Sequence, residues 1–216
     1  MVDLSKIAQS IQAGKAQETS ALITQAVNEN YPFEDILKHG LIAGIERGEQ
    51  RFRRNKICIP EVLVMERALN MGIKILTPYL RACETAGKGT VVIGTVKGDI
   101  QDTEKNLISV MMRGIGLRVI DLGAAVTSER FIQAAEQEKA QIIACTAART
   151  TTMPQMKTLV QAVNTAGIRN QVKIMVSGDP VTKRYCEVIG ADLYAPDVVS
   201  AAEIAQAHCT IYNSGN

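Results

Sequence analysis

The stretch Thr90-Val91-Val92-Ile93-Gly94, running on into Thr95-Val96-Lys97-Gly98-Asp99-Ile100-Gln101-Asp102-Thr103-Glu104-Lys105-Asn106, decides the fold. Its opening residues are β-branched, apolar or small, the pattern of a strand buried on both faces, and the run after Gly94 is a long polar loop. The same succession recurs downstream, with strands expected at Leu117–Asp121, Gln141–Cys145, Val172–Val176 and Ala191–Tyr194. Helices are expected between them at Asp102–Arg113, Ser128–Gln137, Pro154–Ala166 and Thr182–Ile189, with a last one at Ser200–Cys209. Strand and helix in strict alternation predict an α/β fold in which a parallel sheet is covered on both faces.

Five such units fit the flavodoxin-like doubly wound strand order 2-1-3-4-5, whose ligand crevice lies beyond the strands' carboxyl ends where the order reverses. Three loops then become the candidate site: Thr95–Glu104, Thr146–Met153 and Ser177–Thr182. Upstream, Ile7, Ile11, Leu22, Val27, Ile36, Leu41, Ile42 and Ile45 follow helical spacing, and no segment reads as a strand. Breaks at Gly14, Tyr31-Pro32 and Ile59-Pro60 divide this part into four helices, the last from about Pro60 to Ala86. The small, polar, glycine-bearing segment Thr85-Ala86-Gly87-Lys88-Gly89 predicts a boundary between a four-helix bundle cap, residues 1–87, and a Rossmann-like domain, residues 88–216.

A net charge of +2 with 4% aromatics offers neither the basic patch nor the stacking platform that nucleic acid needs. The longest apolar runs, Val91–Gly94 and Gln141–Ala148, fall far short of the roughly 20 residues of a membrane span, and Met1–Ala13 has polar residues spread throughout rather than a signal-peptide core. A soluble, cytoplasmic chain without a membrane or nucleic-acid partner is expected. Cys58, Cys83, Cys145, Cys186 and Cys209 contain no CxxC pair, and His39 and His208 are the only histidines, so dedicated zinc or acid–base machinery is not expected. The first loop has no G-x-G-x-x-G and no G-x-x-x-x-G-K-[ST], which removes the two commonest phosphate devices on such sheets. The third strand ends Cys145-Thr146 rather than in an acceptor aspartate, so a phosphorelay receiver is also set aside. Thr146 and Thr150 are free to bind a ligand, whereas Thr151 or Thr152 is expected to cap the helix begun at Met153-Pro154. Demanding chemistry therefore falls to a bound cofactor.

With these residues in view, the chain resembles the corrinoid-binding proteins of methyltransferase systems and the cobalamin-binding module of methionine synthase. The resemblance spans nearly the whole chain: Ile59-Pro60-Glu61-Val62-Leu63, Ala68-Leu69-Asn70-Met71-Gly72, Gly94-Thr95-Val96-Lys97-Gly98-Asp99, Lys105-Asn106-Leu107, Thr150-Thr151-Thr152-Met153 and Tyr194-Ala195-Pro196-Asp197. It implies a bound cobalamin or related corrinoid, held base-off. In that family a D-x-H-x-x-G motif follows the first strand, and its histidine is the lower axial ligand of cobalt. Here the matching residues are Asp99, Gln101 and Glu104, so the position of the metal ligand holds Gln101, whose amide oxygen is a weak donor. The family's paired glycines at the fourth strand appear as Gly178-Asp179, and its third-strand serine as Thr146.

Carried over residue by residue, the resemblance puts Gly98, Asp99, Ile100, Gln101, Asp102, Thr103 and Glu104 of the first loop at the cofactor. It adds Thr146, Ala148 and Thr150 from the second loop, Gly178 and Asp179 from the third, and Tyr194 and Ala195 from the fifth strand. Val62 and Met65 of the helical half are expected to shield the upper corrin face. The implied role is a carrier that accepts a methyl group from a substrate-specific methyltransferase and passes it to a second one, with a reductive activase as a further partner. Gln101, Glu104 and Asp179 together favour the alternative, a relative with altered or lost corrinoid binding that serves as a regulatory, scaffolding or cobalamin-sensing subunit. The basic run Arg51-Phe52-Arg53-Arg54-Asn55-Lys56 reads as a solvated helix end.

Overall fold

The computed structural model describes residues 2–83 and 88–214, and the chain divides into two compact units, Met1–Ala82 and Cys83–Asn216. Most of the segment expected to separate the domains, Thr85 to Gly87, lies outside the described residues.

The first unit is helical. Helix α1 (Leu4–Gln12) starts on Asp3, whose carboxylate accepts the Ser5 N–H at 2.9 Å, and stops at Gly14, which takes φ +66°. Helix α2 (Ala16–Asn28) is tied to α1 by a buried 2.8 Å hydrogen bond between the Ser10 and Thr19 hydroxyls. Pro32 precedes a helical stretch made of α3 (Phe33–Asp35), π-helical turns over Ile36–Ile42 and α4 (Ala43–Arg53). Glycines recur along it every fourth residue. A Cβ on Gly40 would lie 3.1 Å from Ile7 Cγ2, and one on Gly44 would lie 3.0 Å from Ile11 Cβ, so α1 packs nearly backbone to backbone on this stripe. Gly48 makes room for the Met65 methyl. Helix α5 (Ile59–Cys83) begins with Glu61 reaching back 2.8 Å to the Cys58 N–H, half of a capping box. Its Met65, Ala68, Leu69, Leu76 and Leu80 are buried at helical spacing, while Ile59, Leu63, Val64 and Met71 are exposed.

The second unit is a five-stranded, all-parallel sheet of β1 (Thr90–Thr95), β2 (Arg118–Asp121), β3 (Ile142–Thr146), β4 (Lys173–Ser177) and β5 (Leu193–Tyr194) in the order β2-β1-β3-β4-β5. The helices between strands are α6 (Thr103–Gly114), α7 (Ser128–Gln137), α8 (Pro154–Thr165) and α9 (Lys183–Ile189), and α10 (Val198–Ser214) follows β5. Val92, Ile143, Cys145, Ile174 and Val176 form one core with Phe131, Met156, Leu159 and Cys186 from α7, α8 and α9. By strand alternation, Ile93, Ala144 and Met175 face the opposite side, which α6 covers with α10 packed beside it.

The elements depart from the sequence expectations where side chains replace backbone. The fifth strand is two residues long rather than four, because the Asp192 carboxylate, not a backbone carbonyl, accepts the Ile174 N–H at 2.8 Å. Helix α10 starts two residues early because Asp197 caps it, accepting from both Ser200 N and Ser200 Oγ at 2.8 Å. Thr182 stands outside α9 as its cap, accepting from Tyr185 N at 3.1 Å.

One buried ion pair fixes α6 against the sheet. The Lys105 side chain is 2% exposed, and its Nζ lies 2.7 Å from both carboxylate oxygens of Asp121 at the end of β2. A buried ammonium without its partner is costly. Asp121→Ala is therefore expected to lower the free energy of unfolding by about 3 kcal/mol in urea titrations. Lys105→Met removes the charge and keeps most of the volume, so it should cost less than half as much.

Candidate functional site

At the carboxyl end of the sheet the loop after β1 is held by Asp99, which is 1% exposed. Its Oδ1 accepts the Gln101 N–H at 3.1 Å; its Oδ2 accepts the Ala148 N–H and the Thr152 hydroxyl, both at 2.7 Å. A carboxylate that collects three donors from two loops separated by some fifty residues acts as a staple between them. Thr95 adds a second staple, its hydroxyl donating to the Asp99 carbonyl and accepting the Ala125 N–H, which draws in the loop after β2.

This arrangement corrects the expectation that a threonine caps α8. The residue before that helix is Met153 with no side-chain cap, and the Thr152 hydroxyl is spent on Asp99 and on the Arg149 carbonyl at 2.9 Å. Thr150 is exposed on the same loop. Thr146 is 4% exposed, and its hydroxyl has no hydrogen-bond partner among the described residues. Ala148 contributes its N–H to the staple rather than its side chain.

The stapled loop turns its middle outward. Gly98, with φ +81°, has open space where a Cβ would stand, Ile100 is 73% exposed and Gln101 is exposed. The Gln101 Oε1 accepts from Arg149 Nε at 3.2 Å, and its amide nitrogen has no lone pair for a metal. The one donor atom that Gln101 could offer cobalt is thus already turned to a guanidinium. Asp102 stands at the start of α6 without a side-chain cap bond, followed by Thr103, the first residue of the helix.

Glu104 behaves differently. Its carboxyl reaches over β3 and accepts from the Ser177 hydroxyl at the end of β4. Burial pushes its pKa above the ordinary glutamate value, the Ser177 hydrogen bond opposes that, and Asp179 and Asp197 push it further up. Gly178 has φ +136°, and a Cβ there would lie 2.0 Å from the Ala147 carbonyl oxygen, so the close approach this glycine permits is made by the chain's own backbone. Asp179 is exposed. Tyr194 donates its hydroxyl to the Val181 carbonyl at 3.2 Å, and Ala195 is buried. In the helical unit Val62 is half-buried, and Met65 is 1% exposed with its methyl over Gly48. Ser177 and Arg149 are the two site residues the sequence reading did not single out.

A parallel sheet with a stapled, outward-facing loop at its switch point defines a ligand crevice beyond the carboxyl ends of its strands. Residues 89–208 match the B12 binding domain, and residues 4–77 match a second B12 binding domain model. The chain belongs to the B12-binding corrinoid proteins. It is 40% identical over 171 residues to trimethylamine corrinoid protein 1 of Methanosarcina acetivorans, covering 77% of this chain and 79% of that one. The structure of the Methanosarcina barkeri monomethylamine corrinoid protein superposes with a TM-score of 0.80 at 28% identity, covering 94% and 96% of the two chains. A methanol:cobalamin methyltransferase complex from the same organism gives 0.55 at 25% identity, covering 94% of this chain and 78% of that one.

The residues present fit one part of a corrinoid and not another. The exposed loop, the unpartnered Thr146 hydroxyl and the bare Gly98 leave polar, open positions for a macrocycle with amide arms. The hydrogen-bonded Glu104 and Ser177 occupy the flank of the same crevice.

Removing the staple leaves two partly buried N–H groups and a buried hydroxyl without their acceptor, so Asp99→Ala should cost about 3 kcal/mol in urea titration, and Thr152→Val about 1 kcal/mol. Glu104 makes a pH-dependent prediction. An acid whose pKa rises on folding loses native stability as it ionises: the penalty is absent below the unfolded value, near pH 4.3, and complete above the native value. Glu104→Gln keeps the shape and a hydrogen bond to Ser177, so its unfolding midpoint should exceed that of wild type at about pH 8, and the gap should close near pH 4. A gap that does not change with pH would mean that ionisation of Glu104 carries no such penalty.

Proposed function

We propose that this protein is a corrinoid carrier that takes a methyl group from a substrate-specific methyltransferase and yields it to a second acceptor methyltransferase, with no protein ligand below the cobalt. One observation carries the reading: the switch-point loop is rigidly stapled by Asp99 yet presents Gly98, Ile100 and Gln101 to solvent. Such a loop is prepared to hold a large ligand without itself rearranging. The trimethylamine and monomethylamine corrinoid proteins and the methanol:cobalamin methyltransferase complex among the relatives support the choice of cofactor and of partner class.

A bound corrinoid supplies the cobalt centre that accepts and releases the methyl group. The chain's own residues supply the rest. Asp99 fixes the loop, Thr146 offers a free hydroxyl, and Gln101, with its oxygen turned to Arg149, leaves the metal without a strong donor from the protein. The base-off state of the cofactor, a reductive activase as third partner and a cytoplasmic location belong to the same proposal. Free thiols at Cys58, Cys145, Cys186 and Cys209 suit a reducing compartment. In the helical unit, the half-buried Val62 and the exposed Ile59, Leu63 and Met71 are the apolar side chains suited to keeping water from a reactive centre, whereas Met65 is packed inside that unit against Gly48.

Reconstitution with hydroxocobalamin and, separately, with diaquocobinamide, each followed by gel filtration, tests the reading: the absorbance of at least one corrinoid should travel with the protein, and a protein peak colourless with both overturns it. In the loaded protein, Gln101→His should introduce nitrogen superhyperfine splitting into the Co(II) electron paramagnetic spectrum. An unchanged spectrum would place residue 101 away from the metal. Stoichiometric binding of a partner methyltransferase by the apo-protein, indifferent to added cobalamin, would point instead to a scaffolding subunit.

A further inference from the structure

Glu104 and Ser177 meet at the carboxyl ends of the strands. Thr95, Thr146 and Ser177 stand side by side in register across β1, β3 and β4, and strand alternation turns them to the face that α6 covers. They are the last residues of their strands, so they line the mouth of the gap between the sheet and α6. Glu104, in the first turn of α6, crosses this mouth above β3 and is hydrogen-bonded to Ser177 on the far side. The Thr146 hydroxyl lies in the same row with no partner among the described residues.

Two carboxylates act on Glu104, while the Arg149 guanidinium on the loop after β3 is turned to Gln101. The two are Asp179 from the loop after β4 and Asp197 from the loop after β5. The nearest cation along α6, Lys105, is committed to Asp121 at the end of β2. An anionic appendage entering here would have to break the Glu104–Ser177 hydrogen bond and come to rest among carboxylates. Complete cobalamin carries such an appendage, a nucleotide joined through a phosphodiester; cobinamide is the same macrocycle without it.

We propose that Glu104 bolts the gap between the sheet and α6, so that this chain takes a corrinoid lacking its nucleotide in preference to complete cobalamin. This rests on the corrinoid reading above and specifies its ligand. The ring is held by the loops that Asp99 staples, and none of the Asp99 hydrogen bonds involves Glu104 or Ser177. The bolt acts on the appendage alone, through volume and through charge, and Ser177 is its positioning residue.

Equilibrium dialysis of the full-length apo-protein against aquocobalamin and against diaquocobinamide, read by corrinoid absorbance near neutral pH, tests the proposal. Wild type should bind cobinamide at least about tenfold more tightly than cobalamin. Glu104→Gly should raise cobalamin affinity by about tenfold or more and leave cobinamide affinity within about twofold, so that the preference shrinks or reverses. Ser177→Ala and Glu104→Gln, near-isosteric and checked by thermal melts, should move the ratio the same way by a smaller factor, and they carry the comparison if Glu104→Gly is unfolded. Equal wild-type affinities with a ratio that none of the folded variants shifts would overturn the bolt while leaving the carrier reading intact. Failure of the wild-type protein and of every folded variant to bind either corrinoid would overturn the carrier reading itself.

Discussion

The carboxylate of Asp99 is the constraint on which the site depends. A loop of seven residues between β1 and α6 has no reason of its own to hold one shape, since ordering each residue costs about 1–2 kcal/mol. Here three donors converge on one buried carboxylate and two of them come from another loop, so neither loop can move without stranding the other's hydrogen bonds. The staple also explains why the exposed middle of the loop is free to serve a ligand. The buried hydrogen bonds that fix its position converge on Asp99 and Thr95, while Gly98, Ile100 and Gln101 face outward.

With the loops held, the character of the crevice follows from three side chains. Arg149 turns toward the Gln101 oxygen, Glu104 crosses to Ser177, and the Thr146 hydroxyl has no partner among the described residues. Each contact bridges segments far apart in sequence: forty-eight residues separate Gln101 from Arg149 and seventy-three separate Glu104 from Ser177. Both are made only because the parallel sheet brings the strand ends to one edge. The fold thus supplies a general crevice, and a few polar residues decide how it treats a metal and a charged appendage.

The sheet order and the spans of its strands could be read from the sequence because buried parallel strands leave continuous apolar runs, and Val91 to Gly94 or Ile142 to Cys145 admit little else. The helical breaks at Gly14 and Pro32 were legible for similar reasons, since left-handed backbone and a fixed φ have few alternatives. Side-chain substitution for backbone was not legible. Nothing local announces that Asp192 takes the Ile174 N–H and shortens β5, or that Thr152 prefers Asp99 to capping α8. In the site, the departures at Gln101 and Glu104 stood out only against a family pattern. At the fourth strand the eye fell on Gly178 and Asp179, whereas the first is occupied by the Ala147 carbonyl and the residue that meets Glu104 is Ser177. Arg149 carried no signal at all, because a lone exposed arginine in a loop resembles any other.

The contact between Glu104 and Ser177 has a bearing on how such a site could change over generations. Glutamate and glycine codons differ by a single base in their second position, and glutamine and histidine codons by a single base in their third. A lineage carrying this chain therefore stands one point mutation from an unbolted crevice, and another from a nitrogen donor at residue 101. Neither change disturbs the Asp99 staple, so the two traits can be gained or lost separately while the scaffold persists.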